Sequence, residues 1–205
     1  MAKKIHKMIN NYVYLYHTDT FLVVPEFVDS INDVLPVNYV QTAVLSRTAP
    51  IFSYSGSGPR TMQVTFNLHR DLMTEINYNV SNVNLANEED YVDRFIKEIQ
   101  AAALPSYESA TKTLNPPLVA VRLGDDIFIK GVVNGSVGVT YKYPIIPGVN
   151  SKGKKDENKN RYAFVDVSFN IAEVDPCGAE TVMQTGSYRG GLSLSLERHI
   201  RGAFR

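Results

Sequence analysis

Two stretches of strict alternation constrain this chain more than anything else in it. Thr61–His69 reads Thr-Met-Gln-Val-Thr-Phe-Asn-Leu-His, with Met62, Val64, Phe66 and Leu68 on one side and Thr61, Gln63, Thr65 and Asn67 on the other. Side chains of a strand change face at every residue, so this pattern predicts a strand with one buried and one wet face. Residues 161–174 do the same, with Ala163, Val165, Val167, Phe169 and Ile171 set against Asp166, Ser168 and Asn170. That is long beside the usual strand of ~5–6 residues, and it suits a barrel or a strand that outruns one sheet.

The stretch between them reads as a three-stranded antiparallel meander over 118–143. Leu118–Leu123 and Ile127–Val133 flank the turn Gly124-Asp125-Asp126, and Asn134-Gly135 predicts a second hairpin turn because both residues tolerate positive φ. A third strand over 136–143 carries Val137, Val139, Tyr141 and Tyr143 in register. One helix is predicted after Asn87 as cap, with Glu88, Glu89 and Asp90 in its first turn and an apolar stripe of Tyr91, Val92, Phe95, Ile96, Ile99 and Ala103. Pro105 stops it. A shorter helix fits residues 26–35, between Pro25 and Pro36. Residues 144–160 hold a mixed charge run and predict a solvated loop, and 106–117 a polar connector. The division expected is an N-terminal segment over 1–19, a β-barrel domain over 20–175 and an extended arm over 176–205.

Composition limits the chemistry. Lys+Arg and Asp+Glu are each 21, so net charge gives no reason to expect general nucleic-acid binding or recruitment to an acidic membrane. The single cysteine, Cys177, excludes an intrachain disulfide and a cysteine-built zinc site within one chain. His6, His17, His69 and His199 show no ligand spacing, and no nucleophile elbow is present. Ser55-Gly56-Ser57-Gly58-Pro59-Arg60 lacks the lysine of a phosphate loop and leads into a strand where a phosphate cradle leads into a helix, so it reads as a turn entering the sheet. No catalytic, cofactor-binding or metal-ligating set emerges, no cofactor is expected, and no apolar run is long enough for a membrane anchor. What remains are segments suited to contact: Tyr54 and Arg60, the lysines Lys152, Lys154 and Lys155, the alternating Leu192, Leu194 and Leu196, and Arg198, Arg201 and Arg205. An arm with one apolar face is stabilised by adding to another chain's sheet edge.

Three classes of function compete at this point. They are an assembly protein, a monomeric carbohydrate- or peptide-binding β-domain using exposed tyrosines, and a cell-wall hydrolase with carboxylates gathered by the fold.

The order of segments adds a resemblance. Residues 52–66, running Phe-Ser-Tyr-Ser-Gly-Ser-Gly-Pro-Arg-Thr-Met-Gln-Val-Thr-Phe, resemble the glycine turn, Arg-Thr and strand of LysM-type baseplate or tube-tip proteins of phage tails and contractile injection systems. The helix from Asp90, the Pro116-Pro117 strand ending at Gly124, the strand and turn over 128–137 and the closing strand over 161–173 follow in the same order, so the likeness covers residues 20–175. It implies an α+β, mainly β fold: a tail-tube-like split β-barrel with one packed helix. It implies a non-enzymatic structural protein of a virion tail or injection particle, assembled in the bacterial host cytoplasm. Its partners would be a homo-oligomeric ring, a hexamer by resemblance, and the tail tube, baseplate hub or spike proteins. Nucleic acid would be met only in passage through the lumen. Such proteins often carry a LysM module there; residues 176–205, with their arm-like composition, do not make one, so peptidoglycan binding is not implied.

Overall fold

The computed structural model describes residues 11–24, 28–43, 45, 48–73, 90–107, 114–115, 117–124, 127–149 and 155–174. The chain is mainly β, with twelve strands and one long helix among these residues. The strands are β1 (Asn11–Leu15), β2 (Thr20–Val23), β3 (Val28–Val34), β4 (Val37–Thr42), β5 (Ile51–Ser57), β6 (Thr61–His69), β7 (Ser106–Tyr107), β8 (Leu114–Asn115), β9 (Leu118–Leu123), β10 (Ile127–Val133), β11 (Gly138–Val149) and β12 (Lys155–Glu173). The helix is α1 (Tyr91–Ala102).

Eight strands form one antiparallel sheet in the order β2-β1-β9-β10-β12-β6-β3, with β11 beside β12. The order is an open path, so the barrel expected from the resemblance does not close among the described residues. Its two halves nevertheless share one core. Val13, Leu22, Val121 and Ile129 from the β1-β2-β9-β10 half cluster with Val64, Phe66, Val167 and Phe169 from the β6-β12 half. Tyr91, Phe95 and Ile99 of α1 belong to the same cluster. The alternation of β6 and β12 is therefore a packing requirement: each inward residue meets the other half or the helix. Phe66 sets its ring edge-on to Phe95 at 6.1 Å and beside Phe169 at 5.8 Å.

The halves join at β10, which pairs with β9 along most of its length and with β12 only over residues 131–133. Gly131 makes that approach feasible. A Cβ there would lie 2.0 Å from the backbone oxygen of Ala172, so any side chain would push β12 away.

Several predicted elements are corrected. The chain does not reverse at Asn134-Gly135. Asn134 donates its N–H to the Asn170 carbonyl at 2.8 Å, and β11 then opens with Gly138 opposite Ser168. β10 and β11 thus run in the same direction along one edge of β12, separated by a bulge. Gly135 has φ +91, so the residue fits a bulge as well as a hairpin turn. Residues 26–35 contain β3 and not a helix. A register shift between Val28 and Ser30 places Val28 and Ile31 opposite Phe66 and Val64. That spacing of three imitates a helical stripe. The cap of α1 is Asp90, whose Oδ1 accepts from the Asp93 N–H at 2.8 Å, and Asn87 lies outside the described residues. The solvated loop expected over 144–160 is mostly strand, because β11 extends to Val149 and β12 begins at Lys155. β1 pairs with both β2 and β9, so a boundary at residue 19 would cut through the main sheet. Ser55, Gly56 and Ser57 end β5 and do not form a turn.

Candidate assembly surfaces

Three features stand outside the core. The first is a long hairpin. β3 and β6 pair up to Val34 opposite Thr61, and the same two chain segments then pair again as β4 and β5, from Val37 opposite Ser57 to Thr42 opposite Ile51. The Gly58 N–H donates to the Pro36 carbonyl at 3.0 Å, bridging the two portions. The distal half leaves the body, and every described side chain of β4 is exposed. Tyr39 and Tyr54 lie directly across from each other with centroids 5.7 Å apart, and Phe52 shares their face. Val40 and Ile51 point the other way and are exposed too. Neither strand contains a charged residue. An uncharged, aromatic surface rich in tyrosine has the composition of an interface centre.

The base of this hairpin is locked. Arg60 is buried, and its Nε and Nη2 reach the two carboxylate oxygens of Asp33 at 2.8 Å each. A bidentate guanidinium–carboxylate pair fixes orientation as well as distance. Arg60 was one of the expected contact residues. It instead holds β3 to the entrance of β6 from inside, while Tyr54 is exposed on the hairpin.

The second feature is the outer face of the four strands β11-β12-β6-β3. Asn32, Gln63, Thr65, Asn67, Ser168 and Asn170 share this face, opposite the core residues of the same strands. Lys142 pairs with Asp166 on it, so its described charges are matched. The outer edges of β3 and β11 have no strand partner among the described residues.

The third feature is the far end of β11 and β12. β6 ends with His69 opposite Phe164, yet β11 and β12 continue to pair from Ile145 opposite Tyr162 to Val149 opposite Lys155. Tyr141, Tyr143 and Ile145 are exposed there, although the sequence pattern groups the tyrosines with Val137 and Val139. Tyr162 lies 5.7 Å from the ring of Tyr141 and 5.6 Å from that of Tyr143.

An ion network sits under this end. Arg70 and Arg161 both contact Asp90 and Asp93, and Arg70 also donates from Nε to the Tyr162 carbonyl at 2.7 Å. Two cations and two anions ground the start of α1 on Arg70, just after β6, and on Arg161 within β12. These are structural ties: among the described residues no group of three or more His, Cys, Asp or Glu could hold a metal ion. No helix among them is long and apolar enough to cross a membrane. Lys155 opens β12 opposite Val149. Lys152, Lys154, Leu192, Leu194, Leu196, Arg198, Arg201 and Arg205 lie outside the described residues.

No family model matches the chain, and no curated protein does. Among the solved structures that are similar are two from gene transfer agent particles. One chain comes from the virion of a native gene transfer agent particle, with 9% identity, 83% of this chain and 96% of that chain covered, and a TM-score of 0.37. The other comes from the tail of an empty gene transfer agent particle with C6 symmetry, with 10% identity, 85% and 100% covered, and a TM-score of 0.39.

Sequence reasoning found the core strands β6, β9, β10 and β12 and the helix but missed the buried β1 and β2, and also the exposed β4, whose apolar residues lie on both faces and so show no alternation. The signal was present in another form: Tyr39, Val40, Phe52 and Tyr54 lie in a stretch without Asp, Glu or Lys.

Proposed function

We propose that this chain is a non-enzymatic structural subunit of a virion tail or related injection particle, built to close into rings with copies of itself. The observation that carries the proposal is the half-sheet β11-β12-β6-β3, with a polar outer face and two edges unpaired among the described residues. All its neighbours are antiparallel, and its strand number is even. β3 and β11 therefore run in opposite directions. A copy related by rotation about an axis along the strands brings its β11 antiparallel to β3 of the first, and the ladder continues from subunit to subunit. Rotation that closes pairs the β3 edge of every copy with a β11 edge, which is how a β assembly avoids uncontrolled pairing at those edges. The polar face then lines the ring or its rim, and amide and hydroxyl groups make a wall without large unmatched charge.

The family resemblance supplies the finer reading: a hexameric ring that joins the tail tube to the baseplate hub or spike, assembled in the cytoplasm of a bacterial host. The competing reading, a monomeric sugar- or peptide-binding domain, finds less support. Tyr39 and Tyr54 meet at 68°, edge to face, and do not offer the flat platform on which a sugar ring stacks. Native mass spectrometry of the full chain across a concentration series tests the proposal. A closed oligomer of defined stoichiometry supports it, and a monomer at all concentrations contradicts it.

A further inference from the structure

The extension of β11 and β12 begins at an irregular point. Lys142 pairs with Phe164 and Ile145 with Tyr162, so β11 carries one extra residue between these pairs. A bulge bends its strand, and Pro144 inside it has no N–H with which to hold the ladder. Two arginines brace this joint. Arg70 donates from Nε to the Tyr162 carbonyl at 2.7 Å. Arg161, the next residue outward on β12 and opposite Ile146, reaches Asp90 at 3.0 Å and also contacts Asp93. Arg70 contacts the same two carboxylates, with Asp93 at 3.0 Å.

Asp90 is buried, and its two oxygens are divided between two tasks. Oδ1 caps α1 by accepting from the Asp93 N–H at 2.8 Å. Oδ2 faces the guanidinium groups of Arg70 and Arg161. We propose that Asp90 makes the β11–β12 extension and the first turn of α1 one cooperative unit, so that a displacement of the hairpin is transmitted to the helix. This goes beyond the ring reading and does not depend on it.

The physical reason is that the two oxygens of a carboxylate move together. A hairpin that swings outward draws Arg161 away from Asp90 and the Tyr162 carbonyl away from Arg70. The carboxylate then follows its cation and uncaps the helix, or stays and is left as a buried charge with one contact fewer. Either outcome raises the energy of the helix start. α1 in turn sets Phe95 against Phe66, ring centroids 6.1 Å apart, so the linkage runs from an exposed hairpin to the centre of the core. Lys142 and Asp166 form another ion pair on the same two strands, with neither partner on α1, and provide an internal comparison.

Hydrogen exchange of the full chain, read by mass spectrometry with all proteins in the same oligomeric state, tests the coupling. Arg161→Met removes the hairpin's charge from the network and leaves Asp90 in place. The expected result is exchange faster by on the order of tenfold over both residues 145–149 and residues 91–96, with β9 unchanged. Lys142→Met should leave residues 91–96 as they are. Asp90→Asn tests the reverse direction, because asparagine caps a helix as well as aspartate does but carries no charge for the arginines. It should speed exchange over residues 145–149, as coupling between two sites is reciprocal. Faster exchange confined to the hairpin in Arg161→Met overturns the proposal. So does an equal effect of Lys142→Met on the helix, or an unchanged hairpin in Asp90→Asn. Should Arg161→Met also raise exchange in β9, the whole fold has loosened, and Arg161→Lys, which keeps the charge on a single ammonium, is held to the same criteria.

Discussion

Phe66 and Phe52 are the same residue type on the two strands that lead into and out of residue 60, and the structure gives them opposite duties. Phe66 is fully buried, and its ring is bounded by Phe95 of α1 and Phe169 of β12. These neighbours are held by different elements, so a cavity left by Phe66→Ala cannot close without moving the helix or the long strand. That places the loss at ~3–5 kcal/mol, the range for a buried phenylalanine. For a chain of this length each kcal/mol moves the midpoint by ~2–4 °C, giving a drop of roughly 6–20 °C. Phe52 is 62% exposed on the projecting hairpin. Its truncation costs within about 0.5 kcal/mol, the range for surface positions, and the midpoint moves by about 2 °C or less. The assay is thermal unfolding followed by circular dichroism, at dilutions where mass measurement shows a monomer. A drop under about 2 °C for Phe66→Ala, or equal drops for the two variants, would refute the division between core and hairpin.

Other outcomes follow from the same geometry. Gly131→Ala should destabilise the sheet where its halves join, because the added Cβ meets the Ala172 carbonyl, and chemical denaturation should show a lower midpoint. Asp33→Ala removes the bidentate partner of the buried Arg60 guanidinium and leaves Glu173 as a longer contact at 3.9 Å; as Asp33 itself is partly solvated, about 1–3 kcal/mol should be lost, below the ~3–5 kcal/mol of a fully buried pair. Burial, helped by its hydrogen bond to Asp19 and the nearby charge, pushes the Tyr14 hydroxyl from 10.0 up to about 12. The folded state thus holds the proton more tightly than the unfolded one. This contribution is complete below pH 10 and is lost as pH rises through about 12, so Tyr14→Phe should show a shallower fall in unfolding midpoint across that window.

Legibility in the sequence followed burial on a single face; β1 and β2, buried on both, show no alternation and were missed. β6 and β12 were readable because one face packs on a core, which forces every second residue to be apolar. β9 and β10 were readable because Gly124, with φ +62, marks their turn. β3 was obscured by its register shift, and the far end of β11 by the exposure of Tyr143 and Ile145. A hairpin standing clear of the body is held by main-chain pairing, so charged residues such as Lys159 and polar ones such as Asn160 sit in it without penalty, and the stretch reads as loop. Asn134-Gly135 misled for a related reason: its chemistry specifies positive φ and not the direction the chain takes afterwards. Of the expected contact residues, Tyr54 is exposed. Arg60 shows why a cation next to a glycine turn is ambiguous, since its partner Asp33 is 27 residues away.

The central claim, that the edges of β3 and β11 join copies of the chain, is tested most directly by hydrogen exchange at those two strands in assembled and dissociated protein. Amides on an open edge face water and exchange quickly, whereas amides in a ladder are protected. The account predicts that residues 28–34 and 138–142 gain protection together on assembly, while the buried strand β9 changes little. Equal exchange at both edges in the two states would contradict it.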